Sequence, residues 1–412
     1  MQVGRSTASD AAEAGAEAAR AAGADLSETR LVLVFCAAQY DLPRLLAGVC
    51  SAISDDVIVA GCTTDGEIIN AGPGAPSAPG SAVSGQGVVV TALGGPGFTI
   101  TSTVVPEASD NRREAGATAG AVMAPLDSPH QVLLMIADGM TREQHELVRG
   151  AYSVVGLEVP IVGGCSANGQ AYSITYQFHG TGAGAQAYTD ALVAVGIGST
   201  APIGVGIAHG WVKDGEPMLV TSSEVGEVFE LDDEPALDVY LRRVGADRTI
   251  VDDPDRWRDV SFRNPLGMSR RTGEDIRAVH AVDAQRSSLQ CLADVPQGAL
   301  VWTMTTGPEL LVQSAGQSCA MAVAQLGDVP ARGLLVFDCS ARKLKLGAEN
   351  LAAEHAAIAA AAGDVPVAGF YTYGEIARTH GSRGMHHLTV VALALACPHA
   401  HLTARTPART HT

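Results

Sequence analysis

Aromatic residues are scarce: they make up 4% of the 412 residues, although 47% are hydrophobic. A core with so few large rings must be filled by Ala, Val, Leu and Gly, and so depends on close interlocking of small side chains. Positive charge is also short. Lys and Arg number 27 against 44 Asp and Glu, a net charge of −17, which repels a phosphate backbone and an anionic bilayer surface, so neither nucleic acid nor membrane is expected as a partner. No run of about eighteen apolar residues is present to span a bilayer. Residues 1–30, where Asp10, Glu13 and Glu17 stand among alanines, lack the basic start and apolar stretch of a secretory signal, which places the chain in the cytoplasm. Eight cysteines are too sparse for a disulfide scaffold, and Cys36, Cys62, Cys165 and Cys339 end apolar runs where a reduced thiol behaves as a small hydrophobe. Catalytic signatures are missing too: there is no Walker loop, GxSxG elbow, HExxH or CxxC, and the GxG fragments at Gly196 and Gly204 lack the Rossmann arrangement.

What the sequence does contain is a repeat. One copy runs from Leu31-Val32-Leu33-Val34-Phe35 through a helix near Leu42 to Val57-Ile58-Val59-Ala60-Gly61-Cys62-Thr63-Thr64-Asp65-Gly66-Glu67. A second runs from Val132-Leu133-Leu134-Met135-Ile136 through a helix near Glu143 to Ile161-Val162-Gly163-Gly164-Cys165-Ser166-Ala167-Asn168-Gly169-Gln170. A third joins Leu334-Leu335-Val336-Phe337, a helix over 348–362 and Val367-Ala368-Gly369-Phe370-Tyr371-Thr372-Tyr373-Gly374-Glu375. An apolar β-branched run, a helix, a second apolar run and a Gly-ending turn are the sequence form of a βαβ crossover, and continuous apolar strands imply sheets covered on both faces. Each copy is followed by another strand-like run, at 88–93, 191–195 and 388–393. The fold expected is α/β, two lobes built from strand-helix-strand units with mixed, mostly buried sheets.

Between these units the composition shifts. Residues 71–87 contain almost only Gly, Ala, Pro and Ser and predict a mobile loop. Acidic and Pro-containing stretches at 230–235 and 252–255 bracket the expected domain boundary. Beyond it, 299–304 predicts a strand and 308–326 a helix, and the tail over 398–412 should fray.

Taken in order, several of these stretches resemble the FIST family. They are Phe35-Cys36, the turn Gly61 to Glu67, Gly163-Gly164-Cys165-Ser166, Ala208-His209-Gly210-Trp211, Val220-Thr221, and Glu230 to Tyr240; then Asn264-Pro265-Leu266-Gly267, Ile276-Arg277-Ala278-Val279, and Gly369 to Ile376. The resemblance spans residues 5–397. It implies a lead-in helix over 1–30, an amino-terminal FIST region over 31–240 and a carboxy-terminal one over 241–397. It further implies a sensor of small ligands such as amino acids, coupled to signalling; some members similar to these bind haem and respond to nitric oxide. The stretch Met385-His386-His387-Leu388-Thr389 departs from the family pattern, which has an Asn before the Thr. No kinase, cyclase or methyl-accepting segment is present, so a signal would pass to a separate protein such as a kinase or cyclase.

Turns of small residues at the carboxyl ends of parallel strands place backbone N–H groups and hydroxyls at the crevice where open α/β sheets bind ligands. Glu67 and Glu375 occupy matched positions after Gly66 and Gly374; either could hold a ligand ammonium, while amides of Cys62, Thr63 and Thr64 and of Tyr371 to Tyr373 could hold its carboxylate, with Gly164, Cys165 and Ser166 of the second turn completing the crevice. The same glutamates could instead satisfy turn amides, a structural device that duplication would reproduce. Tyr371 and Tyr373 could stack on a ligand or simply edge the core. His209 is the histidine best placed in the sequence for ligand contact or for axial ligation of haem iron, the alternative being a buried, hydrogen-bonded core histidine. Cys62 or Cys165 would be the nucleophile were the protein an enzyme. No cofactor other than that alternative haem is expected. His386-His387 and Cys397-Pro398-His399-Ala400-His401 do not argue for a metal: adjacent strand residues face opposite ways, and the second group falls in the tail.

Overall fold

A computed structural model describes residues 1–25, 27–70, 72, 87–169, 171–270, 273–379 and 384–396. The loop expected at 71–87, apart from residues 72 and 87, and the tail over 398–412 lie outside them.

The first unit comprises β1 (Gln2–Ser6), α1 (Ala11–Ala21), β2 (Thr29–Ala37), α2 (Leu42–Cys50), β3 (Ile58–Thr64), β4 (Glu67–Asn70) and β5 (Val88–Gly94). The second repeats it as β6 (Phe98–Val105), α3 (Arg112–Gly120), β7 (His130–Ala137), α4 (His145–Val155), β8 (Ile161–Cys165), β9 (Gln177–Thr181), β10 (Gly184–Tyr188) and β11 (Leu192–Ser199). The third opens with β12 (Ile203–Ala208) and is then interrupted by β13 (Val212–Glu224), β14 (Glu227–Leu231), β15 (Glu234–Pro235), α5 (Ala236–Val244), α6 (Pro254–Arg263), β16 (Leu266–Arg270), β17 (Gly273–Arg277), β18 (Val279–Asp283), β19 (Ser288–Cys291) and β20 (Leu300–Thr305). It resumes with α7 (Pro308–Ala324), β21 (Ala331–Cys339), α8 (Ser340–Leu346), α9 (Leu351–Ala362), β22 (Val367–Thr372), β23 (Glu375–Arg378), β24 (Met385–His386) and β25 (Val390–Ala396).

Local sequence explains where the helices start. Asp10, Asp41 and Asn111 each stand just before a helix, and their side chains accept from the N–H groups of Glu13, Arg44 and Glu114. Each thereby satisfies a donor that the first turn leaves open. The shortage of aromatics is met by backbone contact. A Cβ on Gly15 or Gly48 would lie 2.2 and 2.0 Å from the carbonyl oxygens of Leu45 and Ala12, so α1 and α2 touch through their main chains; Gly116 and Gly150 bring α3 and α4 together likewise.

In each unit two strands pair in parallel, β2 with β3, β7 with β8 and β21 with β22, as crossover connections require. The α/β architecture with mixed, buried sheets is therefore the one expected from the repeat. The strand after each turn does not return to its own sheet. β4 pairs with β22 of the third unit, β9 with β3 of the first, and β23 with β8 of the second. The three sheets thus exchange strands in a cycle. They enclose one apolar cluster to which each unit contributes, among others Leu33 and Phe35, Leu134 and Ile136, and Leu335 and Phe337.

The segment from β13 to β20 forms a separate antiparallel sheet with its own core around Tyr240, Trp257 and Leu266. It enters the third unit between β12 and α7, at the place where the first and second units have only short loops. It is tied to the three-unit body by Trp211, whose Nε1 donates to the Leu388 carbonyl at 3.0 Å, and by Arg342, which donates to the His209 carbonyl at 2.7 Å. No described helix is long and apolar enough to cross a membrane.

Candidate functional site

The three repeated turns superpose by register: Gly61, Gly163 and Gly369 face Val34, Met135 and Val336, and an added Cβ would lie 1.9, 1.9 and 1.8 Å from those carbonyl oxygens. Three residues further on, a hydroxyl recurs as Thr64, Ser166 and Thr372. The residue that then crosses to the next sheet is Glu67, Gln177 or Glu375, paired with Phe370, Cys62 and Gly164 respectively. The second turn is longer than the other two, so the residue in this place is Gln177 rather than one six positions after the glycine.

Gln177 makes two links from this place, to the turn hydroxyl and to the next strand, and each glutamate makes one of them. Gln177 donates to Ser166 Oγ at 2.7 Å and accepts from the Ala191 N–H at 3.0 Å; Glu67 accepts from Thr64 Oγ1 at 2.7 Å; Glu375 accepts from the N–H and hydroxyl of Thr389 at 3.0 and 2.9 Å. Both glutamates are wholly buried, and burial pushes each carboxyl up to about 8. One oxygen of each, Glu67 Oε2 and Glu375 Oε1, has no partner among the described residues.

The other residues singled out in the sequence fall into different places. Cys62 and Cys165 are buried, and burial holds both thiols far above their ordinary pKa, so neither is poised as a thiolate. Thr63 Oγ1 accepts from the Tyr176 N–H, and Ser166 joins Gln177, Thr175 and the Ala137 carbonyl. Gly66 adopts φ 117°, while Gly164 lies against Thr372 and Gly374 against Met385. Tyr371 is buried and donates to Glu354 at 2.7 Å, in a network with the Asp338–Arg342–Glu354 ion pairs at 2.7 and 3.3 Å. His209 is partly buried; desolvation lowers its pKa, and its Nδ1 accepts from the Trp211 N–H at 2.9 Å. Tyr373 donates to the Gly169 carbonyl and stacks on Tyr172 with ring centroids 4.9 Å apart.

Of these, Tyr373 lines a cavity of about 620 Å³. The floor of this cavity is the carboxyl end of the parallel strands in the second and third units: Gly139 to His145 after β7, Cys339 to Ala341 from the last residue of β21, and Thr372 and Tyr373 from the last residue of β22. The inserted sheet closes it from above through Ala278, His280 and the 290–294 stretch, while Val225 to Glu227 reach over from the β13–β14 turn. The cavity thus combines the carboxyl end of a parallel sheet with the seam between two separately cored bodies, the two places where small ligands are most often held.

Backbone strain gathers there. Of the nine non-glycine residues with positive φ in the described chain, Glu143, Tyr172, Val225 and Leu388 line this cavity. Val225 is the most unusual, since a β-branched side chain at φ 43° is disfavoured and this one is also 75% exposed. Such strain is retained where the surroundings fix it, commonly at binding sites. Several polar side chains on the wall, Arg142, Gln290, His387 and Asp294 among them, lack partners among the described residues. His387 is only 6% exposed, and neither its ring nor the Asp294 carboxylate has a hydrogen bond or ion pair to a described residue.

Comparison with known families agrees with the resemblance in the turns. The FIST N domain matches residues 30–234 and the FIST C domain residues 236–378. The chain belongs to the FIST family. No curated protein matches it. The junction between the two FIST matches falls inside the inserted sheet, at Pro235. In this FIST protein the cavity draws its walls from both matched stretches, for example Met140 and Tyr172 from one and His280 and Tyr373 from the other. Sequence reasoning missed the 139–145 loop and the 278–294 wall. Aligning the three first strands by their glycine partners, which brings Ala37, Asp138 and Cys339 to one level, would have pointed to the loop. The wall belongs to the inserted sheet, which has no counterpart in the repeat.

Proposed function

We propose that this FIST protein is an intracellular sensor that holds a small ligand, of the size and polarity of an amino acid, in the cavity beneath the inserted sheet. The observation that carries this reading is the cavity itself: about 620 Å³, within the range of small-molecule sites, with unpartnered polar groups and a strained rim. Asp294 supplies a carboxylate for a ligand ammonium, and Tyr172, Tyr373 and Phe262 supply apolar surface for its side chain.

Signalling follows from where the cavity lies. Leu388 is both cavity wall and the acceptor for Trp211, and Ser340 and Ala341 adjoin Arg342, which holds the His209 carbonyl. Ser340 also donates to Asp65 at 2.6 Å and Lys343 bonds the same residue, tying the wall to the first turn. A ligand that touches these residues favours one placing of the sheet on the body by its difference in affinity for the two, and the changed surface is what a separate kinase or cyclase would read.

The test is a thermal-shift screen of amino acids against the wild type and Ala281→Trp, which fills the cavity. A ligand present at about 100 times its Kd stabilises the folded state by about 2.7 kcal/mol. The expected result is a hit that raises Tm in the wild type and not in a folded Ala281→Trp. A hit of equal size in both proteins would move the site elsewhere.

Haem ligation by His209 draws no support from the cavity, because His209 is not in its wall and its Nδ1 is engaged with Trp211. After incubation with haem, any Soret band should therefore be unaltered by His209→Ala. Loss of a stoichiometric band in that variant would restore the gas-sensor reading.

A further inference from the structure

We propose, resting on the reading of the cavity as the ligand site, that its ligand is an organic carboxylate on an apolar skeleton, and that the acid group is received by His387 with uptake of a proton.

His387 is 6% exposed, lines the cavity and has no hydrogen-bond partner among the described residues. Its ring nitrogens are not among the sealed, unpartnered atoms of the core, so they open on the cavity and take their partner from what occupies it. Its neighbour His386 does not: that ring is bonded to the Ala377 carbonyl at 2.9 Å.

The groups around His387 decide the sign of the partner. Arg277 and His280 approach from the inserted sheet, His145 from α4, and His386 from the end of β24 just before it; desolvation first, then repulsion by these groups, lowers the His387 pKa to about 3. The ring is therefore neutral at ordinary pH. Acidic groups are near, but most are engaged: Glu227 accepts from Ser288 and Arg286, Glu143 faces Arg112 at 3.7 Å, and Asp275 faces Arg277 at 3.4 Å. Asp294 is the acid on the wall without a partner. An anion placed against His387 reverses the local balance, since an opposite charge within a few ångströms favours the protonated ring.

The apolar part of the ligand follows from the rim. Met140, Val225 and Leu292 line the cavity and are 45%, 75% and 38% exposed, an apolar part of a mouth that also carries the exposed Arg142 and Glu143, while the imidazole lies deep. An acid that enters head first leaves its hydrocarbon against these side chains.

The sign of the pH dependence is fixed by linkage. The complex binds one more proton than the free protein, so affinity falls as pH rises through the His387 pKa of the complex, by up to about tenfold per pH unit. A neutral ligand of the same shape takes up no proton.

The experiment is calorimetric titration with phenylacetate and phenylacetamide, between about pH 6 and about pH 8, in two buffers of different ionisation enthalpy. Expected are binding of phenylacetate with proton uptake, weakening with pH, little binding of phenylacetamide, and loss of both uptake and about tenfold in affinity in His387→Gln. His387→Phe, checked by melting temperature, repeats the test if the glutamine variant is unstable. Equal binding of the amide, uptake that persists in both variants, or failure of phenylacetate to bind at millimolar concentration would each overturn the carboxylate inference. None of these touches the site reading, which fails separately if Ala281→Trp leaves binding of the amino-acid hits unchanged.

Discussion

At Glu67, Gln177 and Glu375 the same place in three units is filled by two acids and one amide. The amide shows what the place requires, which is an acceptor for the next strand and a link to the turn hydroxyl. Each buried carboxyl, with one unpartnered oxygen, makes only half of this, Glu67 to the turn hydroxyl and Glu375 to the next strand, and does so at a cost. For both glutamates burial raises the folded-state value from 4.5 to about 8. Between those values the unfolded chain has lost the proton and the folded one keeps it, so the stability they contribute is complete below the unfolded value and is lost as pH rises through that window. Glu375→Gln should flatten the fall in Tm over this range and stabilise the protein at neutral pH by about 1–3 kcal/mol. An unchanged pH profile would mean that Glu375 is ionised in the folded state.

Among the elements, the β13–β14 hairpin stands apart. Its two-residue turn is Val225-Gly226, with φ 43° and 83°, between the paired residues Glu224 and Glu227. That geometry suits Asn-Gly, whereas a β-branched residue is strained in it. Val225→Asn should raise stability by about 1 kcal/mol and at the same time weaken ligand binding, because it replaces an apolar rim residue. If stability and affinity rise together, Val225 is no part of the mouth.

Elements of this kind also mark how far the sequence could be read. Helices α2, α7 and α9 and strand β20 lie where apolar periodicity and Pro308 put them, because each obeys local rules. β1 and the exchange of β4, β9 and β23 were not legible, since a strand's sequence does not name the sheet that receives it. The turns were found for the same local reason, yet most of their side chains are spent on holding units together. The cavity wall at 278–294 was invisible because it is brought to the turns by tertiary structure alone.

For the whole molecule, cyclic exchange means that no unit completes its own sheet. Phe370 illustrates the dependence: it pairs with Glu67 of the first unit and packs on Phe35 and Phe337 with ring centroids 4.7 and 5.6 Å away. Phe370→Ala should cost about 3–5 kcal/mol, and denaturant unfolding followed by circular dichroism should lower one shared transition of the three-unit body. A fragment ending at Ala201 lacks β22 and β25 and should fail to give that transition. Independent melting of the first two units would contradict the shared core.

The inserted sheet breaks the equality of the three units. It rests over the meeting of the second and third, where β8 receives β23, while the other two meetings have only short connections at the corresponding place. A molecule with threefold internal repetition therefore has one roofed corner. Titration should accordingly saturate at a single equivalent of ligand per chain, with a simple hyperbolic isotherm, and any steeper response in a cell would have to come from the proteins that this sensor addresses.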